Sequence, residues 1–255
     1  MVPWSSNLRG EQDVKAFGNS DIGLVREKNE DSLLVSAPLF AVADGMGGHA
    51  AGEIASQLAL NSFQEFLNQD QGNNSWPDKL TAAACAANEA VYQEARKRER
   101  LAGMGTTLSA VYLEGVHAYW LHIGDSRLYL YRAEQLQQIT TDHSLVWELV
   151  RAGSISAEEA RHHPRRNVLT KALGTQEKIE ADVGVLELQE GDYLLLCSDG
   201  LSGLVDEMQL QQLLTEHKHE PLKTLVDRMI AAANHAGGHD NISAILVEVG
   251  QVDAS

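Results

Sequence analysis

The chain has 255 residues, 44% of them hydrophobic and 22% charged, enough apolar material for a substantial core in one large domain or two small ones. Its formal charge of −16 argues against unspecific binding to nucleic acid or anionic membrane, which carry the same sign. Two cysteines, Cys85 and Cys197, form neither a Cys-x-x-Cys pair nor a disulfide framework, and no apolar stretch reaches the ~20 residues of a membrane span.

Residues 1–15 are polar and weakly patterned, and we expect a flexible leader there. Residues 1–10 lack the basic, apolar and small-residue zones of a secretory signal, so a cytoplasmic protein is expected. Apolar β-type runs follow at 33–35 and 39–43, ending at Asp44-Gly45. From Ala51 to Leu67 the apolar positions follow helical spacing, and Pro77 suits the first turn of a second helix running to about Arg100. Alternating strands are expected after Gly105, across 107–113, 116–123 and 127–131; their short links predict an antiparallel meander. Short helices at 143–151 and 157–160 precede strands at 179–188 and 193–197. Two further helices, around Leu210 and Leu225, lead to a closing strand at 242–249. Helix pairs flanking a strand-rich centre predict sheets packed face to face with helices outside.

Five short aspartate-bearing segments sit where apolar runs meet turns: Asn29-Glu30-Asp31, Ala43-Asp44-Gly45-Met46-Gly47-Gly48-His49, Gly124-Asp125-Ser126-Arg127, Ser198-Asp199-Gly200 and His239-Asp240-Asn241. Any single Asp-Gly pair is equally explained as a hairpin turn. Together, carboxylates on strand ends can meet at one edge of a sandwich, where they would repel one another. Hard divalent cations such as Mg²⁺ or Mn²⁺ stabilise such a cluster through oxygen ligands.

The segments 20–31 and 42–49 resemble the opening of the type 2C metal-dependent serine/threonine protein phosphatases. Gly103-Met104-Gly105-Thr106-Thr107, Ile123–Arg127, Asp142-His143-Ser144, 167–174, 196–201 and Gly238–Ser243 are similar to that family's later motifs, in order, and Met-Gly-Gly-His looks like its bacterial branch. The resemblance covers about Phe17 to Val249. It implies an α+β fold, a four-layer α-β-β-α sandwich of two mainly antiparallel sheets, forming a single domain over 16–250 with a flap at about 143–168. It implies hydrolysis of phosphoserine and phosphothreonine by a metal-activated water, without a covalent intermediate, reversing a bacterial Ser/Thr protein kinase in the cytoplasm as a monomer, with no nucleic acid or membrane partner.

By the same resemblance Asp44 bridges two Mn²⁺ or Mg²⁺ ions, the Gly45 carbonyl joins one, and Asp199 and Asp240 complete the protein ligands. Glu30 and Asp31 would hold metal-bound waters, supported by Asn241. Asp125, with Asp199, would take a weaker third ion, and Asn167 is a further candidate there. Arg26 stands where the family places its phosphate-binding arginine, and a guanidinium fork matches two phosphate oxygens. Met46 replaces the histidine that animal members carry after Asp-Gly, so His49 or a water is the candidate proton donor; a helix-capping histidine is the other reading of His49. The basic segment 161–166 is either a contact for phosphopeptide flanks or a solvated loop. An inactive phosphoprotein-binding module would be expected to lack one of Asp44, Asp199 and Asp240; none is missing. A calcium loop with aspartates at alternate positions is not seen, and a nuclease would want a basic patch.

Overall fold

Side chains alternate sides along a strand, and that alternation sorts this chain into layers. The computed structural model describes residues 14–47, 51–70 and 72–250. One antiparallel sheet has the order β1 (Val14–Asp21), β11 (Ile242–Val249), β10 (Tyr193–Cys197), β7 (Arg127–Arg132), β8 (Gln135–Gln138). The other runs β2 (Asp31–Ser36), β3 (Leu39–Met46), β5 (Leu108–Glu114), β6 (His117–Ile123), β9 (Asp182–Glu187), with the short β4 (Gly105–Thr106) beside β3.

In β3, Leu39, Ala41 and Ala43 pack with α1 (Ala51–Gln69) and α2 (Trp76–Lys97), while Phe40 and Val42 face the other sheet. In β10, Tyr193, Leu195 and Cys197 pack with α6 (Glu207–His217) and α7 (Leu222–His235), while Leu194 and Leu196 join Phe40 and Val42 between the sheets. The result is a four-layer α-β-β-α sandwich, with Cys197 the buried strand residue its surroundings predict. Among the described residues, no helix is long and apolar enough to cross a membrane.

Several elements depart from their predicted form. Val14 and Lys15 belong to β1 rather than to a leader; residues 1–13 lie outside the described residues. That strand escapes pattern reading because it has no apolar stripe and is only half-buried through most of its length. The second helix stops at Lys97 and a 3-10 turn follows at Glu99–Leu101. Of the two short helices, α3 (Leu145–Arg151) starts late because Ser144 caps it, and α4 (Ala157–Arg161) opens with a reciprocal Ser156–Glu159 capping box. The predicted meander is broken once. β5 and β6 pair, β7 and β8 pair, but β6 and β7 lie in different sheets, so the 124–126 link crosses between layers.

Candidate active site

The apolar stripe between the sheets ends in carboxylates. Leu33 and Val35 of β2 face the opposite sheet, and continuing that alternation backwards reaches Asp31; continuing Phe40 and Val42 forwards reaches Asp44. Asp31 and Asp44 are direct partners in the β2–β3 register, an arrangement in which like charges repel. Asp199 follows β10 and opens the one-turn helix α5 (Asp199–Ser202), while Asp240 precedes β11. These strand ends adjoin, because Cys197 pairs with Ala244 and Ser198 N donates to Ser243 O at 3.1 Å. The 124–126 link brings Asp125 to the same edge, since Arg127 pairs with Cys197.

Small residues and side-chain amides lock these loops together. A Cβ on Gly45 would lie 2.1 Å from Gly52 O and 2.5 Å from Glu30 O, and one on Gly200 would lie 1.9 Å from Asn241 O. Only a hydrogen fits in either place. Asn241 is buried; its Oδ1 accepts from Glu30 N (2.8 Å), and its Nδ2 donates to Ile22 O (3.0 Å) and Lys28 O (2.9 Å). One amide thus holds both ends of the loop that carries Arg26. Ser198 Oγ donates to Asp31 Oδ2 (2.7 Å) and accepts from Ser243 N (3.1 Å). Thr107 Oγ1 accepts from Asp44 N (2.9 Å), and Thr106 Oγ1 donates to Asp44 O (2.8 Å).

Enclosure by protein pushes Asp31 up to about 7 and Asp44, Asp125 and Asp199 above the usual carboxylate range, and their mutual repulsion adds to it. Glu30 is also raised by desolvation, against the pull of Arg26 and a hydrogen bond from Gly52 N. Within the cluster two buried carboxylate oxygens, Asp31 Oδ1 and Asp199 Oδ1, have no hydrogen-bond partner. Orphaned anionic oxygens of this kind fit a hard cation. Among the described residues no three acidic, imidazole or thiolate side chains converge on one ligand position.

The sequence matches the protein phosphatase 2C family over residues 26–247. The chain belongs to that family. It is 43% identical over 241 residues to the serine/threonine protein phosphatase PstP of Mycobacterium tuberculosis, covering 94% of this chain and 46% of that protein. The chain therefore spans about half the length of that relative. It is 39% identical to the serine/threonine phosphatase stp of Listeria monocytogenes, covering 90% of this chain and 93% of that one. The crystal structure of the PstP catalytic domain in complex with two manganese ions superposes with a TM-score of 0.84 at 38% identity, covering 93% of this chain and 99% of that chain.

Within this phosphatase 2C fold, Asp31, Asp44, Asp125, Asp199 and Asp240 share one electrostatic neighbourhood, with Glu30 beside Arg26 and Asp240. Arg26 Nη2 lies 2.6 Å from Asp240 Oδ2, with nearly half of its side chain exposed. His49 lies outside the described residues. Arg127 grips Asp142 with two bonds of 2.9 and 2.8 Å, and Trp147 of α3 donates to the same carboxylate at 2.9 Å, anchoring the start of the expected flap. His143 Nδ1 accepts from Gly124 N at 3.1 Å and its Nε2 faces Asp182 at 3.2 Å, so it shapes the turn that carries Asp125. In the basic segment Arg161 pairs with Glu207 at 2.9 Å. Ser198, Ser243 and Thr107 lie inside the recognised motifs, yet carry no charge and gave no sign of their part as braces.

Asn241→Ala removes three hydrogen bonds at once. We expect kcat/KM to fall about 10- to 100-fold, the usual effect of losing a group that orients ligands. Asn241→Asp restores the acceptor but neither donor and places a charge beside Asp240, so it should not rescue. Recovery of activity by Asn241→Asp would contradict this role.

Proposed function

We propose that this chain removes phosphate from phosphoserine and phosphothreonine in proteins, using two Mn²⁺ or Mg²⁺ ions held at the carboxylate cluster. The observation that carries this is the meeting of Asp31, Asp44, Asp199 and Asp240 at one end of the inter-sheet stripe, with buried oxygens of Asp31 and Asp199 left unpartnered. Asp44, the Gly45 carbonyl, Asp199 and Asp240 are the residues that would hold the ions, with Glu30 and Asp31 holding their waters and Asn241 bracing the loops. Asp125 with Asp199 would take a weaker third ion. Once bound, the ions supply water activated near neutral pH and offset the charge of the phosphate.

Arg26 binds two phosphate oxygens with its planar fork, exchanging its ion pair with Asp240 for the substrate. His49 is the candidate donor of a proton to the departing serine or threonine oxygen. With Val14 and Lys15 in β1, residues 14–250 are taken as one phosphatase domain with a flap at 143–168. The partners are proteins phosphorylated by a Ser/Thr kinase, the kinase itself included, and the protein acts as a monomer. The net charge of −16 supports the absence of nucleic-acid and membrane partners. Free Cys85 and Cys197 support a reducing, cytoplasmic setting.

Aryl phosphate hydrolysis with added Mn²⁺ and with chelator, for wild type and Asp199→Ala, tests this function. Chelation and the substitution should each lower the rate by about 10³-fold or more, as expected when the ions that activate water are lost. Turnover that survives chelation would exclude it.

A further inference from the structure

Seven large hydrophobic side chains are exposed among the described residues, and three of them, Ile22, Leu24 and Val25, fall in the segment 22–26 that ends at Arg26. Leu24 is 69% exposed and Val25 62%. Scattered exposed aliphatics are ordinary on a protein surface; a cluster on a rigid rim marks a contact surface. This loop is held at many points. Leu24 N donates to Gly238 O at 2.7 Å, Gly23 N donates to Asp21 Oδ1 at 2.8 Å, and Asn241 Nδ2 holds Ile22 O and Lys28 O. A Cβ on Gly238 would lie 2.8 Å from Leu24 Cγ, so Leu24 rests on the loop that leads into Asp240. The aliphatic patch therefore spans the two loops that carry Arg26 and Asp240, with its backbone pinned and its side chains turned to water.

We propose that Leu24 and Val25 form a docking surface for a large aliphatic side chain next to the phosphorylated residue of the substrate protein. This rests on the phosphatase function above, and it names the class of substrate. The chemistry of the rim selects that occupant. Glu27 and Glu30 follow Arg26 with Lys28 between them, Asp240 lies against it, and the chain is strongly acidic, so a further acidic group beside the phosphate would be repelled. The phosphate charge is matched by Arg26. On the side that precedes Arg26 the exposed neighbours Leu24 and Val25 are uncharged and aliphatic, and apolar area removed from water there contributes to binding.

The test compares two phosphothreonine peptides, identical except for leucine or glycine on both sides of the phosphorylated residue, together with an aryl phosphate. Wild-type protein with Mn²⁺ should favour the leucine peptide about tenfold in kcat/KM, a discrimination typical of one modest apolar contact. In Leu24→Ser/Val25→Ser that preference should vanish, chiefly through a higher KM for the leucine peptide, while aryl phosphate turnover changes less than twofold. Val25→Ser alone, which leaves the Leu24 contact with Gly238 in place, should lose part of the preference; Leu24→Met should keep it. Equal use of both peptides by wild type, or an undiminished preference in the double variant, would overturn the proposal while leaving the phosphatase function standing. Wild-type protein inert toward aryl phosphate as well would overturn both.

Discussion

Stripped of divalent cations, Asp44→Asn is expected to melt at a higher temperature than wild type while losing at least about 10³-fold in Mn²⁺-dependent hydrolysis. Both effects follow from where Asp44 stands. Its carboxyl lies opposite Asp31 and within the fields of Asp199, Asp125 and Asp240, all of which oppose its ionisation along with desolvation. An isosteric amide removes that charge and leaves volume nearly unchanged. The backbone does not depend on the side chain, because Thr106 and Thr107 hold Asp44 N and O directly. Relief of that repulsion would raise the melting temperature by several degrees in a domain of this size. Activity moves the other way because a neutral amide is a much weaker ligand for a divalent cation than a carboxylate. Thermal melts in chelator, beside aryl phosphate turnover in Mn²⁺, would measure both. A variant that melts lower than wild type in chelator, or that keeps Mn²⁺-dependent turnover within tenfold, would refute this account of the cluster.

The layers and most elements were legible because they rest on local periodicity. The helical spacing from Ala51 and the apolar run Tyr193–Cys197 depend on neighbours in sequence alone. The fivefold recurrence of aspartate at strand ends likewise points to one edge of a sandwich. What escaped depends on tertiary contact. β1 lacks an apolar stripe and is held as a strand by pairing with β11 along its whole length. The 124–126 link reads as a hairpin turn, yet Gly124, with φ at +107°, sits so close to Thr107 that a Cβ would lie 2.5 Å from its Cγ2. The chain leaves one sheet for the other there, and Asp125 reaches the site by that route. The braces were hidden for a similar reason: Ser198 and Asp31 are 167 positions apart, and their hydrogen bond exists only once both sheets have formed.

The same carboxylates make stability depend on pH in a direction opposite to that of most folded proteins. Asp31 titrates near 7 in the folded chain, and Asp44, Asp125 and Asp199 are also raised, against about 3.9 for an unfolded aspartate. Between those values the folded state binds more protons than the unfolded one, so stability falls as pH rises. For Asp31 alone the full effect is at most on the order of 4 kcal/mol. His122 works in the other direction. It is buried, hydrogen-bonds Ser109 Oγ through Nδ1 and donates to Thr141 O through Nε2, and burial lowers it to about 4, so its contribution is lost as pH falls from about 6.5 toward 4. Above about pH 7 the histidine contribution is complete while Asp31, pushed up to about 7, is still releasing its proton, which isolates the carboxylate effect. Metal-free protein should therefore lose thermal stability between about pH 7 and 8. With Mn²⁺ the slope should flatten or reverse, because cations bind the deprotonated groups more tightly as pH rises and stabilise the folded state by mass action. A hundredfold excess over the dissociation constant is worth about 2.7 kcal/mol, enough to move the melting temperature visibly. Melting curves at pH 7.0, 7.5 and 8.0 in chelator and in Mn²⁺ decide it: a metal-free melting temperature that rises across that window would mean the carboxylates are already ionised, and the crowding inferred for them is not there.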